Sequence, residues 1–144
     1  MKVYVAADHA GFALKQKLVA SVRELGFEVQ DMGPATLNPD DDYPDFIIPV
    51  AQAVVADTTA FGIVLGKSGQ GEAMAANRVV GARAAVYYGG PLEFVALSRK
   101  HNNANMLSLG ADFVTEDEAK AATRVFLTTA FSGDERHRRR LAKF

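Results

Sequence analysis

The chain has 144 residues, of which 16 are lysine or arginine and 17 are aspartate or glutamate, giving a formal net charge of −1. This length predicts a single domain with a real hydrophobic core, and the near-zero charge argues against a general polyanion binder. Because the sequence has no cysteine, it excludes disulfides, thiolate nucleophiles and cysteine-rich zinc sites. The N-terminus reaches Asp8 too soon for a signal peptide, and no apolar run approaches the roughly 20 residues of a membrane span. We expect a cytoplasmic protein with no membrane partner.

The first part of the chain alternates between strand and helix patterns. Residues 2–6 are a β-branched and aromatic run typical of a buried strand. Residues 11–25 carry apolar side chains at helical spacing, and Gly26 falls at the position of a helix C-cap. A second strand over 27–32 is followed by a polar, proline-bearing loop. The next predicted helix covers 43–56, and a proline inside it, at position 49, predicts a kink or a break in two.

The same alternation continues to the end of the chain. We expect strands over 61–66, 83–88 and 104–110, separated by helices over 70–79 and 91–101. The last long helix begins with a capping box, in which Thr115 is followed three residues later by Glu118. A basic, helical tail covers residues from about 133 to 144.

Strands that alternate with helices indicate βαβ units, a parallel sheet and helices on both of its faces. The sequence therefore predicts an α/β fold: one Rossmann-like domain over residues 1–144, a three-layer α/β/α sandwich with a five-stranded parallel sheet. Ligands in such folds bind at the carboxyl ends of the strands. Polar residues that follow the strands are thus the candidates for a functional site.

The stretch GKSGQGEAMAANR, from Gly66 to Arg78, begins like a phosphate-binding loop. A Walker A loop needs four residues between its first glycine and the Gly-Lys pair, but only three separate Gly62 from Gly66, and those three belong to the strand. The dinucleotide fingerprint G-x-G-x-x-G also fails, because no third glycine follows Gly69 and Gly71 in register. The spacing therefore excludes a nucleotide cradle.

What remains is a strand, the turn Ser68-Gly69-Gln70-Gly71 and a helix that carries Glu72 in its first turn. Glycines let this backbone turn tightly with its amide hydrogens facing outward, and the Ser68 hydroxyl adds a donor, so the turn favours a developing oxyanion. Glu72 has two interpretations. It either complements the helix dipole or takes a proton next to a carbonyl while the turn holds the resulting enolate.

Two histidines have a structural and a functional interpretation. Asp8 and His9 follow the first strand, where Asp8 either caps the next helix or belongs to the site and His9 is either incidental or a ligand contact. His101 lies near a helix C-terminus, with Asn102 or Asn103 expected in the left-handed conformation. His101 is then only a neighbour of the cap, or it points into the cleft and passes a proton to a substrate oxygen.

The basic tail RHRRRLAKF has three interpretations. It is a solvated terminus, a nucleic-acid arm or an anion clamp. No other basic cluster and no interleaved aromatic support the nucleic-acid arm, so we expect no nucleic-acid partner. Arg136 and Arg140 are four residues apart, and on a helix both lie on one face, where they can clamp a single phosphate.

Four motifs, ADHAG, GKSGQGEAMAANR, SRKHNNANMLSLG and RHRRR, resemble the ribose-5-phosphate isomerase B family in order and spacing over essentially the whole chain. The wider group includes galactose-6-phosphate and allose-6-phosphate isomerases. The resemblance implies an aldose–ketose isomerase that works through an enediolate on a small phosphorylated sugar, with no metal and no cofactor. It also implies a homodimer or a dimer of dimers, with each active site shared across a subunit interface.

The resemblance also implies roles for individual residues. One branch of the family uses a cysteine as base, and Gly66 occupies that position here, whereas Glu72 matches the base of the other branch. Ser68 and the amides of the turn, from Gly69, Gln70 and Gly71, form the oxyanion hole. The remaining assignments are His101 for ring opening with Asn102 beside it, Asp8 for the sugar hydroxyls, and His9, Arg136 and Arg140 for the phosphate. His101 and the arginines are expected to serve the pocket of a neighbouring subunit.

Two residues depart from the family pattern. Lys67 stands where glycine is usual, and Asp112 stands where many members carry a phosphate-binding arginine. The alternatives are therefore a hexose 6-phosphate such as allose or galactose 6-phosphate as substrate, or a sensor that binds a sugar phosphate without converting it. The presence of Glu72, Ser68 and His101 together favours the enzyme.

Overall fold

Five parallel strands form one sheet in the computed structural model, which describes residues 1–144. The strands are β1 (Lys2–Ala7), β2 (Glu28–Asp31), β3 (Phe61–Gly66), β4 (Ala84–Tyr87) and β5 (Met106–Gly110), in the order β2-β1-β3-β5-β4. The helices are α1 (Phe12–Glu24), α2 (Pro44–Ala56), α3 (Gln70–Ala76), α4 (Glu93–Asn102), α5 (Glu116–Thr128) and α6 (Glu135–Leu141). None of them combines the length and the apolar character needed to cross a bilayer. The predicted α/β class with five parallel strands is confirmed.

Successive side chains of the strands point to two separate hydrophobic clusters, as the two-residue period of a strand requires. Val5 and Ile63 belong to a cluster of 19 buried residues that packs against α1, α4 and α5. Ala6 and Val64 belong to a cluster of 8 buried residues on the other face, which packs against α2 and α3. Helices thus cover both faces of the sheet, which confirms the three-layer arrangement and explains why all six residues of β3 are buried.

The predicted helix ends agree with the structure. Gly26 follows α1 with φ of +87°, a conformation that favours glycine. Thr115 and Glu118 form the reciprocal capping box at the start of α5. Asn103, one of the two candidates, ends α4 in the left-handed conformation with φ of +45°.

Of the two outcomes expected at Pro49, a kink or a break in two, the break does not occur, because α2 runs as one helix from Pro44 to Ala56. Proline removes one backbone hydrogen bond from a helix interior. Here the same turns of α2 bury Ile47, Val50 and Val54 against the sheet, and this packing holds the helix together across the missing bond.

Candidate functional site

The carboxyl ends of β1 and β3 lie side by side and place two predicted site segments at one edge of the sheet. Ala7 pairs with Leu65 in the ladder, and the N–H of Asp8 continues it by donating to the Leu65 carbonyl at 3.2 Å. The turn that begins at Ser68 comes directly after β3 and lies at the same edge. We call this rim, where Asp8, Ser68 and Glu72 come together, the carboxyl edge.

The turn after β3 presents a group of backbone donors. Gly69 has φ of +75°, and its carbonyl accepts a 2.6 Å hydrogen bond from the hydroxyl of Ser108, a fully buried residue of β5. A peptide N–H points away from its carbonyl, so this bond turns the N–H of Gln70 towards the Ser68 hydroxyl, 3.4 Å away. The N–H groups of Ser68, Gly69 and Gly71 have no hydrogen-bond partner in the chain. The turn is therefore ready to bind a negatively charged oxygen.

Glu72 is turned into the protein although it lies in the first turn of a helix. Only 4% of the residue is exposed, and its carboxyl group lies against the backbone of Gly66, so that a methyl group at position 66 would overlap it. Burial raises the pKa of Glu72, and the charge of Asp8 raises it further. The carboxyl group is thus held away from solvent beside the turn after β3.

Asp8 and His9 have both structural and chemical partners at this edge. One Asp8 oxygen, Oδ1, accepts from the N–H groups of Ala10 at 2.9 Å and Gly11 at 3.1 Å in the turn before α1. The predicted helix cap is wrong, because the N-cap of α1 is Gly11 and no side chain caps that helix. The His9 ring nitrogen Nδ1 lies 2.7 Å from Asp41 Oδ1. This hydrogen bond is the main cause of a raised pKa of His9.

The side chains of Asp8, His9 and Asp41 form a cluster with metal-ligating atoms, which lie within 4.8 Å of one another. Asp41 Oδ1 is already bonded to the His9 ring, and Asp8 Oδ1 to two amides. These hydrogen bonds account for the grouping of the three side chains, and we assign no metal to the cluster.

Three residues of this edge were missed by sequence reasoning: Asp41, Tyr43 and Ser108. Asp41 and Tyr43 belong to the loop that follows β2, and the Tyr43 ring lies so close to Gly71 that a methyl group there would be 2.9 Å from it. Since β2 is a parallel neighbour of β1, its acidic loop DDDYPD could have been placed at the carboxyl edge. Ser108 could have been noticed as the one hydroxyl in an otherwise apolar strand.

His101 and Asn102 lie at the opposite edge of the sheet, because α4 runs antiparallel to the strands and ends beside their amino termini. The guanidinium of Arg99, two residues earlier, lies 4.6 Å from the ring centre of Phe61, the first residue of β3. The first and last of the six residues of β3 are about 17 Å apart, five steps of some 3.3 Å. His101 therefore does not reach Glu72 of the same chain, and the expected histidine of the cleft is not found within one subunit.

The basic tail packs at this second edge, which we call the amino edge. It forms α6, as predicted, and the His137 ring stacks on the His101 ring with 4.3 Å between their centres. His137 is buried, and burial lowers its pKa. Arg136 and Arg140 are exposed. A cavity of about 380 Å³ lies close by and is lined by residues that include Asn102 and Arg83, so this cavity and the buried Glu72 carboxyl group lie at different edges of the sheet.

The two departures from the family pattern contact each other. Lys67 Nζ lies 4.0 Å from Asp112 Oδ2, and 75% and 51% of these side chains are exposed. An exposed pair at this distance contributes little to stability. Its effect is to neutralise the negative charge that Asp112 brings to the carboxyl edge.

Comparison with known proteins gives one consistent family. The model of a family described as Ribose/Galactose Isomerase matches residues 3–144. Ribose-5-phosphate isomerase B of Mycobacterium tuberculosis is 45% identical over 141 residues, which cover 98% of this chain and 86% of that protein. The structure resembles ribose-5-phosphate isomerase B of Mycoplasma genitalium with bound ribulose 5-phosphate, with a TM-score of 0.93 and 38% identity over 99% of this chain and 92% of that one. It also resembles the type B enzyme of Trypanosoma brucei, with a TM-score of 0.91 and 38% identity over 99% of this chain and 95% of that one.

Proposed function

We propose, from the premise that this chain belongs to the ribose/galactose isomerase family, that it interconverts ribose 5-phosphate and ribulose 5-phosphate. The observation that carries the proposal is the Glu72 carboxyl group, buried against Gly66 beside a turn with three unpartnered amides. The name of the Mycobacterium tuberculosis relative and the ribulose 5-phosphate bound to the Mycoplasma genitalium neighbour support the same substrate pair.

In this proposal Glu72 is the base that moves the proton between C2 and C1. It removes the C2 proton of the open-chain aldose, and the electrons of that bond form the C1–C2 double bond of an enediolate while O1 becomes negative. Glu72 then returns the proton to C1, the hydroxyl proton of O2 passes to O1, and O2 becomes the carbonyl of the ketose. The raised pKa of Glu72 suits both steps, because a base that must also act as an acid works best near the ambient pH.

The oxyanion hole in this proposal is the turn after β3. Ser68 and the amides of Gly69, Gln70 and Gly71 stabilise the charge that develops on O1, and Ser108 keeps the turn in place. Donors fixed before the reaction need no reorganisation when the charge appears.

We further propose that a second copy of the chain completes the site, as a homodimer or a dimer of dimers. The distance between the two edges means that His101 cannot serve the Glu72 of its own chain. His101 of one subunit, with Asn102 beside it, opens the furanose ring in the other subunit's pocket, where Asp8 holds sugar hydroxyls. The phosphate is held by His9 from one chain and by Arg136 and Arg140 from the other.

The test is a direct assay of the purified protein with ribose 5-phosphate and ribulose 5-phosphate, in EDTA because no metal or cofactor takes part. Allose 6-phosphate and galactose 6-phosphate are offered alone and as competitors. Conversion of the pentose in both directions is the expected result. Conversion of a hexose phosphate alone would establish the hexose alternative, and binding without conversion would establish a sensor.

A further inference from the structure

Asp41 reaches across the carboxyl edge to hold His9. Its Oδ1 lies 2.7 Å from His9 Nδ1 and accepts a second hydrogen bond, of 3.1 Å, from the backbone N–H of the same histidine. The two residues are 32 positions apart, so this is a tertiary contact rather than a local turn. Only 5% of the Asp41 side chain is exposed, against 41% of His9. The carboxylate is thus buried, and the ring is the more exposed partner.

The loop that carries Asp41 is anchored at its start as well. Lys15 is fully buried, and its ammonium donates to both oxygens of Asp31, at 2.7 and 2.9 Å, and to the carbonyl of Pro34 at 2.8 Å. The backbone of Gly33 also accepts from the N–H of Ala7 in β1. The fold therefore fixes the start of the loop that presents Asp41 to His9.

This contact determines which ring nitrogen is free. A carboxylate at Nδ1 requires a proton there, which leaves Nε2 to face a ligand. The second oxygen of Asp41, Oδ2, is buried and has no hydrogen-bond partner, so a positive ring is the main compensation for this buried negative charge. The charged groups that face the ring are all carboxylates, from Asp8, Asp40 and Asp41. Together they raise the pKa of His9, and the hydrogen bond to Asp41 has the largest effect.

We propose that Asp41 is a positioning residue that keeps His9 as a cation, with Nδ1–H bonded to the carboxylate and Nε2–H free to donate to the phosphate of the substrate. A neutral histidine with the same orientation offers only an acceptor at Nε2, which a phosphate repels. The inference rests on the proposed function only for the identity of the anion, a sugar phosphate. The hydrogen bond between Asp41 and His9 does not depend on the proposed function.

The change Asp41→Asn tests the proposal, because the amide oxygen can still accept both hydrogen bonds while the charge is lost. The matched control is Asp40→Asn, in the same loop but exposed and without a contact to the ring. The chain has only three histidines, so nitrogen NMR can follow each ring through a pH titration, with the His9 signal identified by its loss in His9→Asn.

We expect the midpoint of His9 to move to lower pH in Asp41→Asn and to move much less in Asp40→Asn, because the hydrogen bond to Asp41 has the largest effect and the charge of Asp40 the smallest. There is a pH range in which His9 is neutral in Asp41→Asn but still protonated in wild type. In that range the KM of Asp41→Asn for ribose 5-phosphate should rise about three- to tenfold, while kcat stays nearly unchanged. A midpoint unaffected by Asp41→Asn overturns the proposal, and so does a KM that follows the wild-type pH profile despite a displaced midpoint.

Two measurements on the unmodified protein keep the inference testable even if Asp41→Asn fails to fold. At any pH within the titration range the ring nitrogens of His9 should lie closer to the chemical shifts of protonated imidazolium nitrogens than those of His137 do, and the reverse order would overturn the proposal. Inorganic phosphate should displace the His9 signals, and no response at His9 would overturn the phosphate contact. If wild-type protein fails to isomerise any sugar phosphate, the proposed function falls, whereas the NMR result still decides the role of Asp41.

Discussion

The carboxyl edge and the amino edge of this sheet hold the candidate residues in different ways. At the carboxyl edge, polar groups are buried and fixed by backbone: Glu72 lies against Gly66, and the turn at Gly69 is bonded to Ser108. At the amino edge, His101 and the tail arginines sit on the ends of short helices, and Arg136 and Arg140 are exposed. In the proposed dimer, each chain therefore contributes buried, fixed groups to one site and exposed groups to the other.

This difference predicts two kinds of defect. Groups that act on the reacting carbons must be held within fractions of an ångström, and rigid backbone provides that precision. Groups that grip a phosphate contact the substrate in the ground state and the transition state alike. We therefore expect changes at the carboxyl edge to lower kcat and changes of the arginines at the amino edge to raise KM.

The largest effect is expected from Glu72→Gln, which keeps the shape of the side chain but removes its basicity. The kcat should fall by about a hundred- to ten-thousandfold, the range for loss of a general base, while substrate binding remains. Steady-state kinetics and calorimetric titration with ribose 5-phosphate measure the two quantities. Glu93→Gln, in the first turn of α4, is the control. Turnover similar to wild type in Glu72→Gln would remove Glu72 from the role of base.

The separation of the two edges is tested by mixing subunits. Glu72→Gln and His101→Asn should each be nearly inactive alone. Co-refolded in equal amounts, they should regain about a quarter of wild-type activity, because half of the dimers are hybrids and each hybrid has one intact site of two. A mixture no more active than its components would show that both residues must come from the same chain.

Gly66→Ala tests how closely the carboxyl edge must position Glu72. The added methyl overlaps the Glu72 carboxyl group and must displace it, while the rest of the strand stays as it is. We expect kcat to fall about ten- to a hundredfold in a folded protein. The double variant Gly66→Ala/Glu72→Gln should be no slower than Glu72→Gln alone, since both changes remove the same group. Additive losses would mean that Gly66 acts in another way.

Arg140→Ala tests the accessible edge. Its KM for ribose 5-phosphate should rise about tenfold, with kcat within twofold of wild type and with the difference shrinking at high salt. Arg139→Ala, one position away and also exposed, is the matched control. A loss confined to kcat would contradict the assignment to uniform phosphate binding.

The smallest effect concerns stability. The pKa of Glu72 is higher in the folded than in the unfolded chain, so the folded state binds its proton more readily. Burial of the ionised form then lowers stability at neutral pH, and this cost disappears as the pH falls through the raised pKa towards the unfolded value of about 4.3. Glu72→Gln should melt roughly 1–4 °C above wild type at pH 7, with the gap closing in acid. A gap that is constant with pH in thermal melts would contradict this origin.

The sequence predicts the local structure of this protein better than its contacts. Hydrophobic periods and turn residues gave five strands, the capping box at Thr115 and the turn before Glu72, because each depends on neighbours within a few positions. The bond between His9 and Asp41 spans 32 positions and that between Ser108 and Gly69 spans 39, and no local pattern encodes such pairs. His101 lies at the amino edge because α4 runs antiparallel to the strands, and the sequence pattern of one helix does not reveal its direction relative to the sheet. At Pro49, tertiary packing overrode a correct local rule.

The absence of a side chain at Gly66 has a consequence for how the site can change by mutation. The volume that the glycine leaves is filled by a side chain six positions later, so the two positions cannot both be large. A lineage that enlarges residue 66, for instance to place a reactive group there, must first or at the same time vacate position 72. A path of single mutations from a base at position 72 to a base at position 66 therefore passes through one of two variants. Either both side chains are large and overlap, or neither position carries a base.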